Sequence, residues 1–202
     1  MSEAEVIVFP TPMDVSHAAS IRIADALIDA IAERGVAHWV TTGGSTPGQI
    51  YRHLADSQLW DTVPWEHVHL WWSDDRWVPP DDVLSNALAC WDILLRDVPV
   101  PLDQVHVIPI AEAMNTGEGP EAVAERYEAT IRSAGIDLNH AGFPRMDVIL
   151  VGPSDRHSTT GGCAPRAPSR EAPNQRDGDR SGLALSRRSS PSARRPVVPP
   201  HQ

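Results

Sequence analysis

The sequence contains no lysine: all 17 of its basic residues are arginine. Every Lys- or Arg-type contact it makes is therefore through a planar guanidinium, which suits phosphates and carboxylates bidentately, and no P-loop lysine exists. Two cysteines are too few for a disulfide framework. Cys90, on a helical face, reads as a small buried hydrophobe. No run approaches the ~20 apolar residues that span a bilayer. No N-terminal stretch has the basic-then-apolar layout of a signal peptide. A cytoplasmic protein with no membrane partner is the expectation. No repeat is visible. The nine His show no ligand spacing, and His67 and His69 share a strand face without a Cys or carboxylate to complete a set, so no metal is expected.

A regional absence divides the chain. All seven Trp, both Tyr, both Phe and every Ile lie at or before Val151. Residues 152–202 instead hold nine Arg, eight Ser and eight Pro. With four acidic residues their net charge is 9 − 4 = +5, which leaves −10 − 5 = −15 for residues 1–151. Such a segment cannot bury enough apolar surface to offset ~1–2 kcal/mol of ordering entropy per residue, and a disordered basic tail is expected. It offers no aromatic stacking platform, so nucleic acid is not the expected partner.

Residues 1–151 read as an α/β domain. Glu5–Phe9 has the pattern of a first strand. Asp14–Arg34 reads as an amphipathic helix with Val15, Ala18, Ala19, Ile23, Leu27 and Ile31 as its stripe, and Gly35 as its stop. Strands are expected at His38–Thr42, Val68–Trp72, Val105–Ile108 and Asp147–Val151. Helices are expected after Thr46, from Ser85 or Asn86 through Leu95, and from Gly119-Pro120 to about Ser133. Strands alternating with helices imply an open parallel sheet with flanking helices.

Two strand ends carry chemistry. After His38–Thr42 comes the turn Gly43-Gly44-Ser45, then Thr46 where an N-cap belongs and Pro47 at the first helical position. Two glycines let backbone approach a ligand. Free N–H groups, the helix dipole and the Ser45 and Thr46 hydroxyls favour an anion. Neither the Walker pattern nor the spaced three-glycine fingerprint is present, so a terminal phosphate fits better than a nucleotide. After Val68–Trp72 come Asp74, Asp75 and Arg76. Arg76 can pair with a phosphate or oxyanion, and a neighbouring carboxylate can hold it or orient a sugar hydroxyl. Parallel α/β sheets bind ligands at this end of their strands.

TTGGSTPGQIYRHLA together with WWSDDRWVPPDDVLSNALACWDILL resembles the 6-phosphogluconolactonase family, part of a larger sugar-phosphate group that includes glucosamine-6-phosphate deaminase. The first motif is shared across the group. The second follows the lactonase pattern Asp-Glu-Arg-x-Val-Pro and then Ser-Asn, with Asp75 as its one conservative change. Deaminases usually carry Asp-Glu-Tyr, so Arg76 favours the lactonase branch.

The resemblance covers about residues 4–151. It implies hydrolysis of a phosphosugar lactone, with no cofactor, an anchor at Gly43, Gly44, Ser45 and Thr46, and Arg76 neutralising phosphate or oxyanion. Asp74 and Asp75 would position that guanidinium and the sugar hydroxyls. The family's base is the His of a Gly-x-Gly-x-Asp-Gly-His loop. Its only counterpart is His157, two residues after Asp155, with Arg156 where the family has Gly.

Beyond that loop similarity stops, and the Arg/Pro/Ser composition is what out-of-frame reading of a GC-rich gene would give, with a fusion to a natural disordered basic tail as the alternative. The domain is then an incomplete lactonase, with activity impaired or absent. A deaminase-like sugar-phosphate isomerase and a non-catalytic phosphosugar-binding fragment are the alternatives. Nothing in the sequence sets the oligomeric state.

Overall fold

The computed structural model describes residues 5–151. Helix α1 (Pro12–Arg34) opens on Thr11, whose hydroxyl accepts the Asp14 N–H, and stops at Gly35, held at φ 79°. There follow β1 (Ala37–Thr41), α2 (Ser45–Leu54), the short α3 (Ser57–Trp60) and β2 (Val68–Trp72). Next come α4 (Asn86–Cys90), continuing as a π-helical turn over Trp91–Leu95, and β3 (Val105–His106). Then α5 (Ile110–Thr116), α6 (Pro120–Ser133) and β4 (Val148–Ile149) complete the described elements.

All four strands are parallel, in the order β3-β2-β1-β4. β1 and β2 pair from Ala37 opposite Val68 to Thr41 opposite Trp72, so both end at one level. The chain moves outward from β1 to β3, then returns through α5 and α6 to add β4 on the other side of β1. Such a reversal of strand order is a switch point, and ligands of open α/β sheets bind outside the strand carboxyl ends there.

Period-two alternation splits the strand residues between two faces. Trp39, Val68, Leu70 and Trp72 join Leu27, Ile50, Leu54 and Leu94 of the helices in the main core. On the other face Val40 and Trp71 pack with Tyr127 and Ile131 of α6. Trp39 and Trp71 are fully buried. Each removes about 150–250 Å² from water, an upper estimate of about 4–6 kcal/mol apiece.

Three expectations are corrected. Residues 5–9 form no strand: no described strand pairs with their backbone, and Val6 and Val8 are exposed. An apolar run becomes a strand only where an open sheet edge receives it. The buried stripe of α1 is Ser16, Ser20, Ile23, Ala24, Leu27 and Ala30, and Val15 is exposed. The two serines are tolerated inside because their hydroxyls donate to the Pro12 and His17 carbonyls. Finally, α2 begins at Ser45 with Gly44 as N-cap, so Thr46 is its second residue.

A clamp fixes β4 at the amino end of the sheet. The carboxylate of Asp147 accepts from the Arg34 guanidinium, and its other oxygen accepts the His38 N–H at 2.8 Å. Both side chains are largely buried. Asp147→Ala is expected to destabilise the domain by about 1–3 kcal/mol, because it removes the acceptor of the His38 N–H and leaves the largely buried Arg34 guanidinium with only the exposed Glu33 as partner. A urea midpoint unchanged from the parent would remove the clamp from the account.

Three histidines line one sheet face on adjacent strands. His69 Nδ1 lies 2.9 Å from His106 Nε2, and His38 Nδ1 accepts from Trp71 Nε1 at 3.3 Å. Each contact needs a bare ring nitrogen, so protonation of the whole ladder breaks it. Burial first, then the neighbouring His69, lowers His38 to about 4, against an opposing pull from Asp147. Burial first, then His69 and His38, lower His106 to about 4, against the opposing charge of Asp103. Burial also lowers His69, against the opposing charge of Asp103.

Between the ordinary imidazole value of about 6.5 and about 4 the unfolded chain binds protons that the folded chain refuses. This contribution to stability is therefore complete above pH ~6.5 and is lost as the pH falls toward ~4. Urea midpoints measured across that window should fall on acidification, and His106→Gln should flatten the slope.

Candidate active site

The carboxyl ends of β1 and β2 carry the two motifs side by side. Ser73 donates its N–H to the Thr41 carbonyl at 2.8 Å, continuing the sheet by one bond. The Thr42 hydroxyl then donates to Asp74 Oδ1 at 2.7 Å, and Ser73 Oγ reaches the same oxygen at 3.1 Å. Behind this junction Tyr51 of α2 donates its phenol proton to the Thr42 carbonyl at 2.5 Å. With that proton committed, the Thr41 hydroxyl is the donor in its 2.6 Å contact with Tyr51. Burial raises the Tyr51 phenol above its ordinary range, so it stays protonated.

The glycine turn leads straight into α2. Gly44 sits at φ 115°, a region open essentially to glycine, and its carbonyl accepts the Gly48 N–H at 3.1 Å. Among the described residues no group accepts from the N–H of Gly44, Ser45 or Thr46. The Ser45 and Thr46 hydroxyls are likewise unengaged there, and both residues are exposed. Pro47, third in the helix, has no N–H to leave unpaired. The head of α2 thus lies two residues earlier in the chain than the sequence pattern predicts.

Asp75 does something the sequence did not indicate. Its Oδ1 accepts the N–H groups of Asn86 and Arg76, both at 2.7 Å. Its Oδ2 accepts the Ala87 N–H at 3.2 Å and the Ser85 hydroxyl at 3.3 Å. Ser85 in turn caps α4 by accepting the Leu88 N–H. A carboxylate on the first N–H groups of a helix satisfies them and complements the dipole. Asp75 thus closes the loop between β2 and α4. Neither Asp74 nor Asp75 holds the Arg76 guanidinium, which corrects the positioning role expected of them: both oxygens of Asp75 and Oδ1 of Asp74 take loop and helix donors.

Arg76 is exposed. Seven of the eight arginines within residues 5–151 have partners. Arg22, Arg34, Arg96, Arg126, Arg132 and Arg145 pair with carboxylates, and Arg52 donates to the Gly48 carbonyl. Among the described residues nothing pairs with the Arg76 side chain. Its chain neighbours Asp75 and Trp77 line a cavity of about 290 Å³, together with Ser73, Ile108, Tyr127 and Glu128 among others.

His157 lies outside the described residues. Cys90 is fully buried, and burial raises its thiol well above the ordinary range, which excludes it as a nucleophile. Among the described residues no cluster of three or more His, Cys, Asp or Glu could hold a metal ion. No described helix is long and apolar enough to cross a membrane.

Comparison with known proteins agrees with this geometry. Residues 10–157 match the family model for glucosamine-6-phosphate isomerases and 6-phosphogluconolactonases, a match that reaches His157. A 6-phosphogluconolactonase of Streptomyces coelicolor is 34% identical over 143 residues, covering 68% of this chain and 52% of that protein. The chain spans about half the length of the curated relatives it matches. The 6-phosphogluconolactonase of Trypanosoma cruzi superposes with a TM-score of 0.61 at 22% identity, over 73% of this chain and 57% of that one. A monomeric glucosamine-6-phosphate deaminase superposes at 0.55 with 19% identity, over 65% of this chain and 52% of that one. At those identities the fold alone is shared, and it is common to both activities.

Asp75→Ala should cost about 2–3 kcal/mol in urea denaturation, since it strips the acceptor from the first N–H groups of α4. Asp75→Asn should recover part of that loss. Equal midpoints for parent and alanine variant would show that the loop closes without the carboxylate.

Proposed function

The chain belongs to the family of glucosamine-6-phosphate isomerases and 6-phosphogluconolactonases, and from that membership we propose that its carboxyl-end cleft binds 6-phosphoglucono-1,5-lactone for hydrolysis to 6-phosphogluconate. One observation carries the choice of an anionic ligand. The body of residues 1–151 has a net charge of −10 − 5 = −15, yet among the described residues Arg76 alone of its arginines has no partner. A guanidinium left free amid such an acidic excess, next to a turn with unpaired N–H groups, calls for an anion from outside.

In this reading the phosphate rests on the Gly43–Thr46 turn, and Arg76 neutralises the phosphate or the oxyanion that forms at the lactone carbonyl. Opening the lactone requires water attack at that carbonyl, with a base to take the water's proton. His157 is the base by resemblance to the family's loop, and the family match includes it. Arg156 stands where the family has Gly, and a side chain there opposes the backbone conformation the loop needs. The chain therefore keeps the anchor better than the reaction. Residues 1–151 form the incomplete sugar-phosphate domain of this proposal, and residues 152–202 are the out-of-frame tail.

Titration calorimetry of the full chain with 6-phosphogluconate tests the anchor. Arg76→Ala should weaken binding by about 10–100-fold, the worth of a charge-assisted hydrogen bond. Arg96→Ala, on a surface pair with Asp92, should leave binding unchanged. Equal affinity in the Arg76 variant and the parent would end its assignment. Lactone hydrolysis by the chain as written should not exceed the uncatalysed rate, and no ammonia should form from glucosamine-6-phosphate. Robust turnover abolished by His157→Ala would show instead that the short loop works.

A further inference from the structure

Gly43 is not in the left-handed region, so its backbone conformation is open to any residue. Its lack of a side chain has a different cause. A Cβ built there would lie 1.7 Å from Asn86 Oδ1, 2.2 Å from Cγ and 3.0 Å from Cβ, and Asn86 supplies all three of its nearest neighbours. The carboxamide of Asn86 occupies the volume that a side chain at position 43 would take.

Asn86 cannot easily withdraw. Its Nδ2 donates to the Asp74 carbonyl at 3.0 Å, which also fixes which end of the amide faces Gly43, because a carbonyl accepts only. Its own N–H donates to Asp75 Oδ1 at 2.7 Å. It is the first residue of α4 and is 5% exposed. The side chain is thus tethered at both ends and wedged against the turn that precedes α2.

We infer that Asn86 is a positioning residue for the Gly43–Thr46 turn: wedged between Gly43 and Asp74, it sets the backbone path that leaves the N–H groups of Gly44, Ser45 and Thr46 unpaired and available to an anion. The inference rests on the reading of that turn as the phosphate anchor. The physical chain is short. Asn86 fixes the Cα of Gly43, Gly44 at φ 115° follows rigidly, and its carbonyl starts α2. Without the wedge, Gly43 gains space toward α4, and three N–H groups lose a common direction. Misplacement of that order weakens a preorganised site without touching the ligand.

The test uses the full chain labelled with ¹⁵N, the Asn86→Ala variant, Gly43→Ala and the double variant. In amide spectra, Asn86→Ala should move or broaden the Gly43–Thr46 resonances while those of Trp39 and Leu70 in the strands stay in place. Affinity for 6-phosphogluconate should fall about tenfold or more. Gly43→Ala should lower the urea midpoint sharply in the parent background and far less in the Asn86→Ala background, since the clashing group is gone.

Unchanged Gly43–Thr46 amides in Asn86→Ala would overturn the inference. So would a Gly43→Ala penalty of the same size in both backgrounds, or parental affinity in an Asn86→Ala chain whose amides have shifted. If the parent itself does not bind 6-phosphogluconate, the proposed function fails on its own, and the amide spectra and the double variant still decide the role of Asn86.

Discussion

Two loops compete for one small volume at the carboxyl end of the sheet, and glycine at position 43 is what lets both fit. The Asn86 carboxamide lies where a side chain on Gly43 would be, and Asn86 is itself pinned by Asp74 and Asp75. The Asp75 carboxylate closes the long loop from β2 onto the start of α4. The Thr42 hydroxyl ties the end of β1 to Asp74. These contacts make one interlocked unit of two segments about 30 residues apart in sequence. Strand pairing brings the segments to the same level, but only the interlock sets their spacing to within hydrogen-bond tolerance.

The register of β1 and β2 is the condition for that unit, because a one-residue slip would send Thr42 and Asp74 to different heights. Register is held by burial on both faces. Trp39, Leu70 and Trp72 face the α1–α2 side, and Trp71 faces α6. Coverage is uneven further along the sheet. Ile149 and Val151 are exposed at the edge next to β1, as are Val6 and Val8 in the extended N-terminal segment. An apolar edge strand in contact with solvent is a surface for association. The half of the fold around β1, β2 and α2 is well packed, and the half beside β4 is not.

Much of this was legible in sequence, for identifiable reasons. The β-branched and aromatic runs of β1 and β2 are short, bounded by glycine or acidic turns, and buried on both faces, which is the pattern of a parallel strand. The pairing of the two motifs at one sheet end followed from topology. Asp75 was misjudged because a carboxylate next to an arginine reads as its ion-pair partner, and the helix that claims it starts 11 positions later. The α2 cap was misplaced because Gly44 caps through backbone freedom rather than through a side chain. Ser16 and Ser20 were left out of the α1 stripe because a serine that returns its hydroxyl to the preceding turn is apolar in effect. Residues 5–9 show the limit of pattern reading, since a strand needs a neighbour that no local signal supplies.

Charge distribution explains why a single arginine carries so much of the functional reading. An anion approaching a body with an acidic excess meets a repulsive field at long range, screened over about 8 Å at physiological salt. Binding must then come from groups within a few ångströms. The arginines paired with carboxylates contribute little to such a contact, because their charge is already neutralised locally. The unpaired guanidinium of Arg76 and the N–H groups at the head of α2 keep theirs. The interlock gives the acidic side chains of the second motif other partners than Arg76: Asp75 engages α4 through both oxygens, and Asp74 engages Thr42 and Ser73 through Oδ1. The carboxylates that adjoin the cleft in sequence are thus spent on holding its shape, and the positive charge beside them remains free for a ligand.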